Sequence, residues 1–320
     1  MTPQQKYFLI MERQGFFTWG DVYTPSTLAV PREAPKGSRI SRLNSRKLGR
    51  TLHVLSTPER VFTQLALHHP ALLDLHEQKM LWPVTACNPL YGHPLTREAF
   101  PAPMPGTLEI AEAIGFKHYE IVLSLPDGHR ERTAFPYQGD LLLYLVRTDG
   151  TPYAINWTVK DEGLSFGERR RSQAKTPVQQ RIDREHAVLR ARLETQYYAG
   201  AGIQTVQVSM DMLEPTVIAN LDLLFPMHGL PSTLDAGVLD EFSIEVQKAV
   251  LSGEPTAQLA IRYGRRWGSL NQFIARIYQD IWERKLPVSL FHPILIDHPL
   301  VVGKTDLLLE LRSLFGGAAL

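Results

Sequence analysis

The segment from Asp140 to Lys160 constrains this chain more tightly than any other. An apolar run, Leu141–Val146, leads to Asp149-Gly150 and then to Tyr153–Lys160. In that second run Tyr153, Ile155, Trp157 and Val159 alternate with Ala154, Asn156, Thr158 and Lys160. Alternation with period two marks a half-buried strand, and Asp-Gly marks a turn, so the segment reads as a β-hairpin. A two-residue loop, Asp149-Gly150, sets Asp140 opposite Val159 on the apolar face. A three-residue loop, Thr148-Asp149-Gly150, gives the glycine the left-handed position of a bulged turn. It sets Asp140 opposite Thr158 and gathers Leu141, Leu143 and Leu145 with Tyr153, Ile155 and Trp157 on one buried face. The three-residue loop is the predicted one. It leaves a carboxylate and the Lys160 amine on the same face of the hairpin.

The flanking sequence supplies helices. Thr57-Pro58 opens one, with Val61, Phe62, Leu65 and Ala66 on its apolar face. Thr176-Pro177 opens a long one reaching Ala199-Gly200, with Ile182, Leu189, Leu193 and Tyr197 on one side, and strand Thr205–Ser209 follows. The order helix, strands, helix, strand predicts a mixed α/β domain over residues 1–213. Residues 81–107, rich in proline, read as an irregular excursion. The remainder, residues 214–320, reads as a mainly helical second domain. Helices Thr256–Tyr263 and Ser269–Lys285 are broken at Gly264 and Gly268, and Pro287 stops the second. Strand-like runs Pro293–Ile296 and Leu300–Leu309 then suggest a terminal hairpin, as in a winged-helix-like domain.

Composition narrows the functional classes. With 44% hydrophobic and 21% charged residues the chain is not a disordered one. No apolar run approaches the roughly 18–20 residues of a membrane span, and no signal-peptide pattern is visible, so a cytoplasmic, membrane-free protein is expected. Cys87 is the sole cysteine, which excludes an internal disulfide framework or a multi-cysteine metal site and suits a reducing compartment. A net charge of +1 gives no global sign of nucleic-acid binding, so any basic surface is local. Arg32, Lys36, Arg39, Arg42, Arg46, Lys47 and Arg50 form such a stretch, at a spacing that suits a loop or hairpin rather than a helix face.

Three groups attract chemistry: Glu59, Asp140 and Lys160. Carboxylates hold Mg²⁺, a hard cation that prefers oxygen ligands and lowers the pKa of bound water. A lysine beside them can orient that water or stabilise a phosphate in its transition state. Plainer readings stand beside this one. Glu59 lies three residues after Ser56, as in a capping box, Asp140 can simply begin a strand, and Lys160 can be a solvated strand end. Other motifs fail. Gly303-Lys304-Thr305 lacks the first glycine of a phosphate-binding loop, since His298 stands there. His68, His69 and His76 match no zinc array. Arg169-Arg170-Arg171, with Lys175 and Arg181, read either as a solvated helix entrance or as phosphate contacts.

The stretch Ser38–Gln78, SRISRLNSRKLGRTLHVLSTPERVFTQLALHHPALLDLHEQ, resembles the N-terminal region of TnsA, the transposon-end endonuclease subunit of heteromeric bacterial transposases. The resemblance resumes at TLEIAEAIGFKHYE, at Asp140, at Val159-Lys160 and on the helix carrying Glu194 and Tyr197-Tyr198. It implies a restriction-endonuclease-like PD-(D/E)xK core. Glu59 and Asp140 then match the family's metal-binding acids, Lys160 its catalytic lysine, and the Val159 carbonyl a backbone metal ligand, with Mg²⁺ as cofactor and Mn²⁺ able to substitute. Thr158 departs from the pattern, because that position is normally Glu, Asp or Gln; as a metal ligand its shorter, neutral hydroxyl is expected to act through water. Glu194 matches a helix acid of the family, and a surface ion pair explains it equally well. The resemblance further implies cutting of double-stranded DNA at the 5′ ends of a transposon. A DDE-type, TnsB-like transposase would act on the 3′ ends, and an AAA+, TnsC-like regulator would contact the C-terminal region. Arg39, Arg42, Arg46, Lys47 and Arg50 are the expected phosphate contacts. Two alternatives remain open: an inactive nuclease-fold assembly subunit, motivated by Thr158, and a stand-alone restriction or repair nuclease.

Overall fold

The computed structural model describes residues 1–96, 100–125, 128–163 and 176–317. Its first helix, α1 (Pro3–Gln14), starts on a capping box between Thr2 and Gln5. The basic stretch forms an antiparallel hairpin of β1 (Ser41–Ser45) and β2 (Arg50–Val54), as its irregular spacing predicts. Helix α2 (Thr57–His68) follows, its N-cap Ser56 accepting the Glu59 N–H. Next come β3 (Leu72–Glu77), the short β4 (Met80–Leu81) and the irregular excursion, which is pinned by an isolated bridge between Ala86 and Met104. Helix α3 (Thr107–Ala113) and a second hairpin, β5 (Glu120–Ser124) with β6 (Arg130–Ala134), lead through β7 (Tyr137–Gln138) to β8 (Leu141–Val146) and β9 (Pro152–Lys160). Helix α4 (Pro177–Ala199) then returns the chain to β10 (Gln204–Ser209).

Among the described residues the principal sheet is mixed, in the order β10-β9-β8-β3. Strands β3, β8 and β9 pair antiparallel, whereas β10 joins β9 in parallel. A parallel neighbour requires a crossover, and the stretch containing α4 is that crossover. The protein is thus α/β with a mixed sheet. Leu141 pairs with Trp157 and Leu143 with Ile155, which extends to Asp140 opposite Thr158. Arg147 and Thr151 close the loop, and Gly150 has φ +83°, so the turn is the three-residue one.

The two faces of the hairpin meet different partners. Leu141, Leu143, Leu145, Ile155 and Trp157 share a core with Val61, Phe62 and Leu65 of α2, the Phe62 ring lying edge-on to Trp157 at 5.8 Å. Leu142, Tyr144 and Ala154 join Leu193, Tyr197 and Tyr198 of α4. Helices α5 (Pro215–His228), α6 (Ala236–Ser252), α7 (Thr256–Trp267) and α8 (Leu270–Trp282) follow the sheet. An Arg60–Asp222 ion pair ties α5 to α2, and the apolar core runs without a break past Leu213 to Phe242, Phe273 and Phe315. The tail returns to the sheet. Trp157 Nε1 donates to the Leu314 carbonyl at 2.7 Å, and the Tyr153 hydroxyl donates to that of Phe315 at 3.2 Å.

Two expectations for this half need correction. Helix α7 runs straight through Gly264, and the break falls only at Gly268. The expected terminal strands, Pro293–Ile296 and Leu300–Leu309, do not form. Among the described residues an isolated bridge between Val288 and Val302 is all that pairs there. Leu307 and Leu308 are buried instead by a short helix, α9 (Leu307–Glu310), capped by Asp306. The winged-helix hairpin is therefore absent from the described residues. No helix among them is long and apolar enough to cross a membrane.

Candidate active site

Strands β3 and β9 end, and β8 begins, at one edge of the sheet, so Gln78, Asp140 and Lys160 come to that edge by topology alone. Asp140 is half-buried. Its Oδ2 accepts the Val159 N–H at 2.7 Å, and its carbonyl accepts the Gln78 N–H at 2.9 Å. Lys160 is half-buried two residues beyond Thr158 on the same strand face, and its positive charge acts on the Asp140 carboxylate.

Glu59 arrives from the first turn of α2. Its Oε1 accepts from the Ser56 hydroxyl at 2.8 Å, while Oε2 accepts from the Leu55 N–H at 2.9 Å and from Gln78 Nε2 at 3.0 Å. The capping reading is realised at the N-cap, because the Ser56 hydroxyl also accepts the Glu59 N–H at 3.2 Å. Every hydrogen-bond donor to this buried carboxylate is neutral. Burial, with the charge of Asp140 added to it, pushes the Glu59 carboxyl up to about 7. Burial raises Asp140 too. Lys160 opposes that rise, Glu194 adds to it, and the Val159 N–H and Arg190 oppose it. The pair titrates as a unit.

Thr158 does not stand alone. Its hydroxyl donates to Glu194 Oε1 at 3.1 Å, and Asn156 Nδ2 donates to the same oxygen at 2.9 Å. Arg190, one turn earlier on α4, donates to Glu194 Oε2 at 3.1 Å. Glu194 is 6% exposed, so its ion pair is not on the surface. A carboxylate absent from strand position 158 thus reaches the same place from the helix that covers this face.

Gln78 and Asn156 are site residues that the sequence did not reveal. Gln78 adopts φ +44°, an uncommon conformation for a residue with a side chain. Its carbonyl is held there by the Ser26 hydroxyl at 2.6 Å and Gln14 Nε2 at 3.2 Å. No sequence signal announces that geometry. Asn156 and Glu194 had one, a polar residue at each inward position of a strand face and of the helix above it.

The donor set fits a hard divalent cation in one particular way. Among the described residues no three His, Cys, Asp or Glu side chains converge as a ready metal cage. Mg²⁺, however, is commonly held by one or two carboxylates, with water and substrate phosphate completing its shell. Glu59 and Asp140 supply two acids lacking an ion pair among the described residues, and there the buried Gln78 Oε1 and Asn156 Oδ1 are acceptors without a hydrogen-bond partner. Val159 turns its N–H to Asp140, which positions that carboxylate.

The expected phosphate contacts divide. Arg39, Arg42 and Arg46 are exposed, with no ion pair among the described residues. Arg50 is not available: its guanidinium is buried against both Glu77 oxygens at 3.0 Å and also donates to the Leu75 carbonyl. The Lys47 ammonium donates to the carbonyls of His69 and Pro70, and burial lowers it to about 8. Arg181 pairs with Glu185 at 3.7 Å, one turn along α4. Arg169, Arg170, Arg171 and Lys175 lie outside the described residues.

Comparison with known proteins leaves this geometry to stand by itself. No protein-family model matches the chain, and no curated protein matches it significantly.

Proposed function

We propose that the protein is a metal-dependent DNA endonuclease of the TnsA type, with a restriction-endonuclease-like core, that hydrolyses the phosphodiester at the 5′ ends of a bacterial transposon. The observation that carries this reading is the juxtaposition of two acids, Glu59 and Asp140, joined through Gln78 at the sheet edge where Lys160 faces Asp140. Structural carboxylates pair with cations, whereas acids forced together beside a lysine mark a site built for a reaction. Mg²⁺, or Mn²⁺ in its place, would be held by Glu59 and Asp140 and would lower the pKa of the attacking water.

The remaining roles belong to the chain. Lys160 stabilises negative charge on the phosphate as it is attacked. Glu194, fixed by Thr158, Asn156 and Arg190, supplies the carboxylate missing from position 158. Arg39, Arg42 and Arg46 on the adjoining segment bind DNA phosphates without reading sequence. A DDE-type transposase acting on the 3′ ends and an AAA+ regulator meeting the C-terminal helices complete the machinery in the cytoplasm.

The test is strand-specific cleavage of DNA carrying the element's ends, with Mg²⁺ and the partner transposase and ATPase. Wild type is run beside Asp140→Ala and Lys160→Ala. Release of 5′ ends by wild type alone supports the assignment. Equal cutting by Lys160→Ala defeats it. A silent wild type that 3′ joining still requires means an assembly subunit, and cutting without partners means a stand-alone nuclease.

A further inference from the structure

Behind the catalytic edge lies a cavity of about 370 Å³, within the usual size range for a small-molecule site. Its walls are aromatic: Phe17, Trp19, Trp82, Tyr91, Tyr197 and Tyr198. The cation in this lining is Lys79, which makes no hydrogen bond or ion pair among the described residues. Its ammonium instead stands 4.8 Å from the Phe17 ring centre and 5.2 Å from that of Tyr23. The Tyr198 hydroxyl, buried without a hydrogen-bond partner among the described residues, lies not on the cavity surface but in the partition beside Gly139. Burial lowers the Lys79 ammonium to about 8, so it is poorly hydrated where it stands.

The cavity and the catalytic centre share a wall. Lys79 follows Gln78, which bonds Glu59, and the Lys79 carbonyl accepts the N–H of Gly139, the residue before Asp140. A Cβ on Gly139 would lie 3.2 Å from the Tyr198 hydroxyl and 3.6 Å from Glu194 Oε1. Any larger residue at 139 would crowd the partition between the two spaces. Flat aromatic walls and one donor cation suit a flat heteroaromatic ring with acceptors on its edge. A nucleobase is such a ring: it stacks on aromatic side chains, and its edge accepts from lysine.

We propose that this cavity receives one unstacked nucleobase of the strand being cut, drawn out of the duplex beside the scissile phosphate. The inference rests on the nuclease reading above and names the DNA conformation that the site acts on. Enzymes that extrude a base meet an unpairing cost, and that cost is least where the base is already unpaired.

The test uses the full chain with its partner transposase and end-bearing duplexes, holding Ca²⁺ in place of Mg²⁺ so that DNA binds uncut. Adenine is placed in turn at each position flanking the cut, with thymine opposite. Extrusion of the adenine orphans that thymine and exposes it to permanganate. Wild type and Trp82→Phe are expected to produce one reactive thymine, and Trp82→Ala and Lys79→Met to lose it. In Mg²⁺ the two disruptive variants should cut paired DNA about tenfold more slowly than wild type, and DNA with that base already unpaired less than about twofold more slowly. Equal deficits on both substrates overturn the proposal. Cutting by wild type with no reactive thymine overturns it too and leaves the nuclease reading intact. A reactive thymine without cutting in Mg²⁺ defeats the nuclease reading and leaves base capture standing.

Discussion

Two buried glutamates, eighteen residues apart in sequence, accept N–H groups two residues apart at the end of β2, Glu77 from His53 and Glu59 from Leu55, and have opposite fates. Glu77 meets Arg50 through two bonds of 3.0 Å and accepts the His53 N–H at 2.9 Å. Glu59 meets only neutral donors and a second acid. Burial raises both, but Arg50 draws Glu77 back, whereas Asp140 drives Glu59 further up. One pair is complete within the fold. The other has no cation paired with it among the described residues, which is where the proposed metal ion and phosphate would bind.

Substitutions should separate the two. Asp140→Asn is expected to lower the cleavage rate at least about 10³-fold while the protein stays folded. A rate within tenfold of wild type would show that the acids are not the centre. Glu77→Gln should do the reverse. It leaves Arg50 buried without its charge, costing about 3–5 kcal/mol in denaturant unfolding, with residual activity tracking the folded fraction. A Glu77→Gln protein of wild-type stability would erase the contrast.

Position 158 gives the next largest effect. Glu194→Gln should slow cutting about 10²-fold and Thr158→Val less than about threefold, because the charge resides on the helix rather than the strand. The opposite ranking would return the metal-facing role to Thr158.

Stability should also register the unmatched acids through pH. The folded Glu59 carboxyl lies at about 7, above its ordinary value of 4.5. The folded state therefore holds its proton more tightly than the unfolded state does. Stability from this group is full below pH 4.5 and falls as pH rises through about 7. Thermal melting without Mg²⁺ should show that fall, Mg²⁺ should reduce it, and Glu59→Gln should diminish it, leaving the share of Asp140, and raise the melting temperature at pH 8 by about 2–4 °C. A melting temperature flat in pH would contradict the raised pKa. The smallest effect concerns Arg42→Ala and Arg46→Ala, each lowering the slope of log affinity against log salt by about 0.9. Arg50→Ala should instead destabilise the fold.

Much of this arrangement is legible in the chain. The register that sets Asp140 opposite Thr158 follows from which leucines must share a face, and the helix caps at Ser56 and Thr176 are visible as single residues. The failures share a cause. Pro293–Ile296 and Leu300–Leu309 bury only Ile294, Leu300, Leu307 and Leu308 and leave Leu295, Val301, Val302 and Leu309 exposed, and apolarity alone does not say whether a ladder partner exists. Arg50 belongs to a basic stretch by sequence and to Glu77 by contact, a distinction that only tertiary pairing makes. Gln78 is the extreme case: its backbone is dictated by Ser26 and Gln14, which lie far away in the chain.

The bond from Trp157 to the Leu314 carbonyl has a consequence for how the protein is made. On the ribosome β9 emerges more than 150 residues before the segment that covers its other face. Chains are synthesised at about 5–20 residues per second, so for several seconds the indole of Trp157 lacks its final cover. The sheet face beside Asp140 and Lys160 therefore reaches its final packing only once residues 314 and 315 have been made, and a nuclease of the proposed kind would stay unfinished until then.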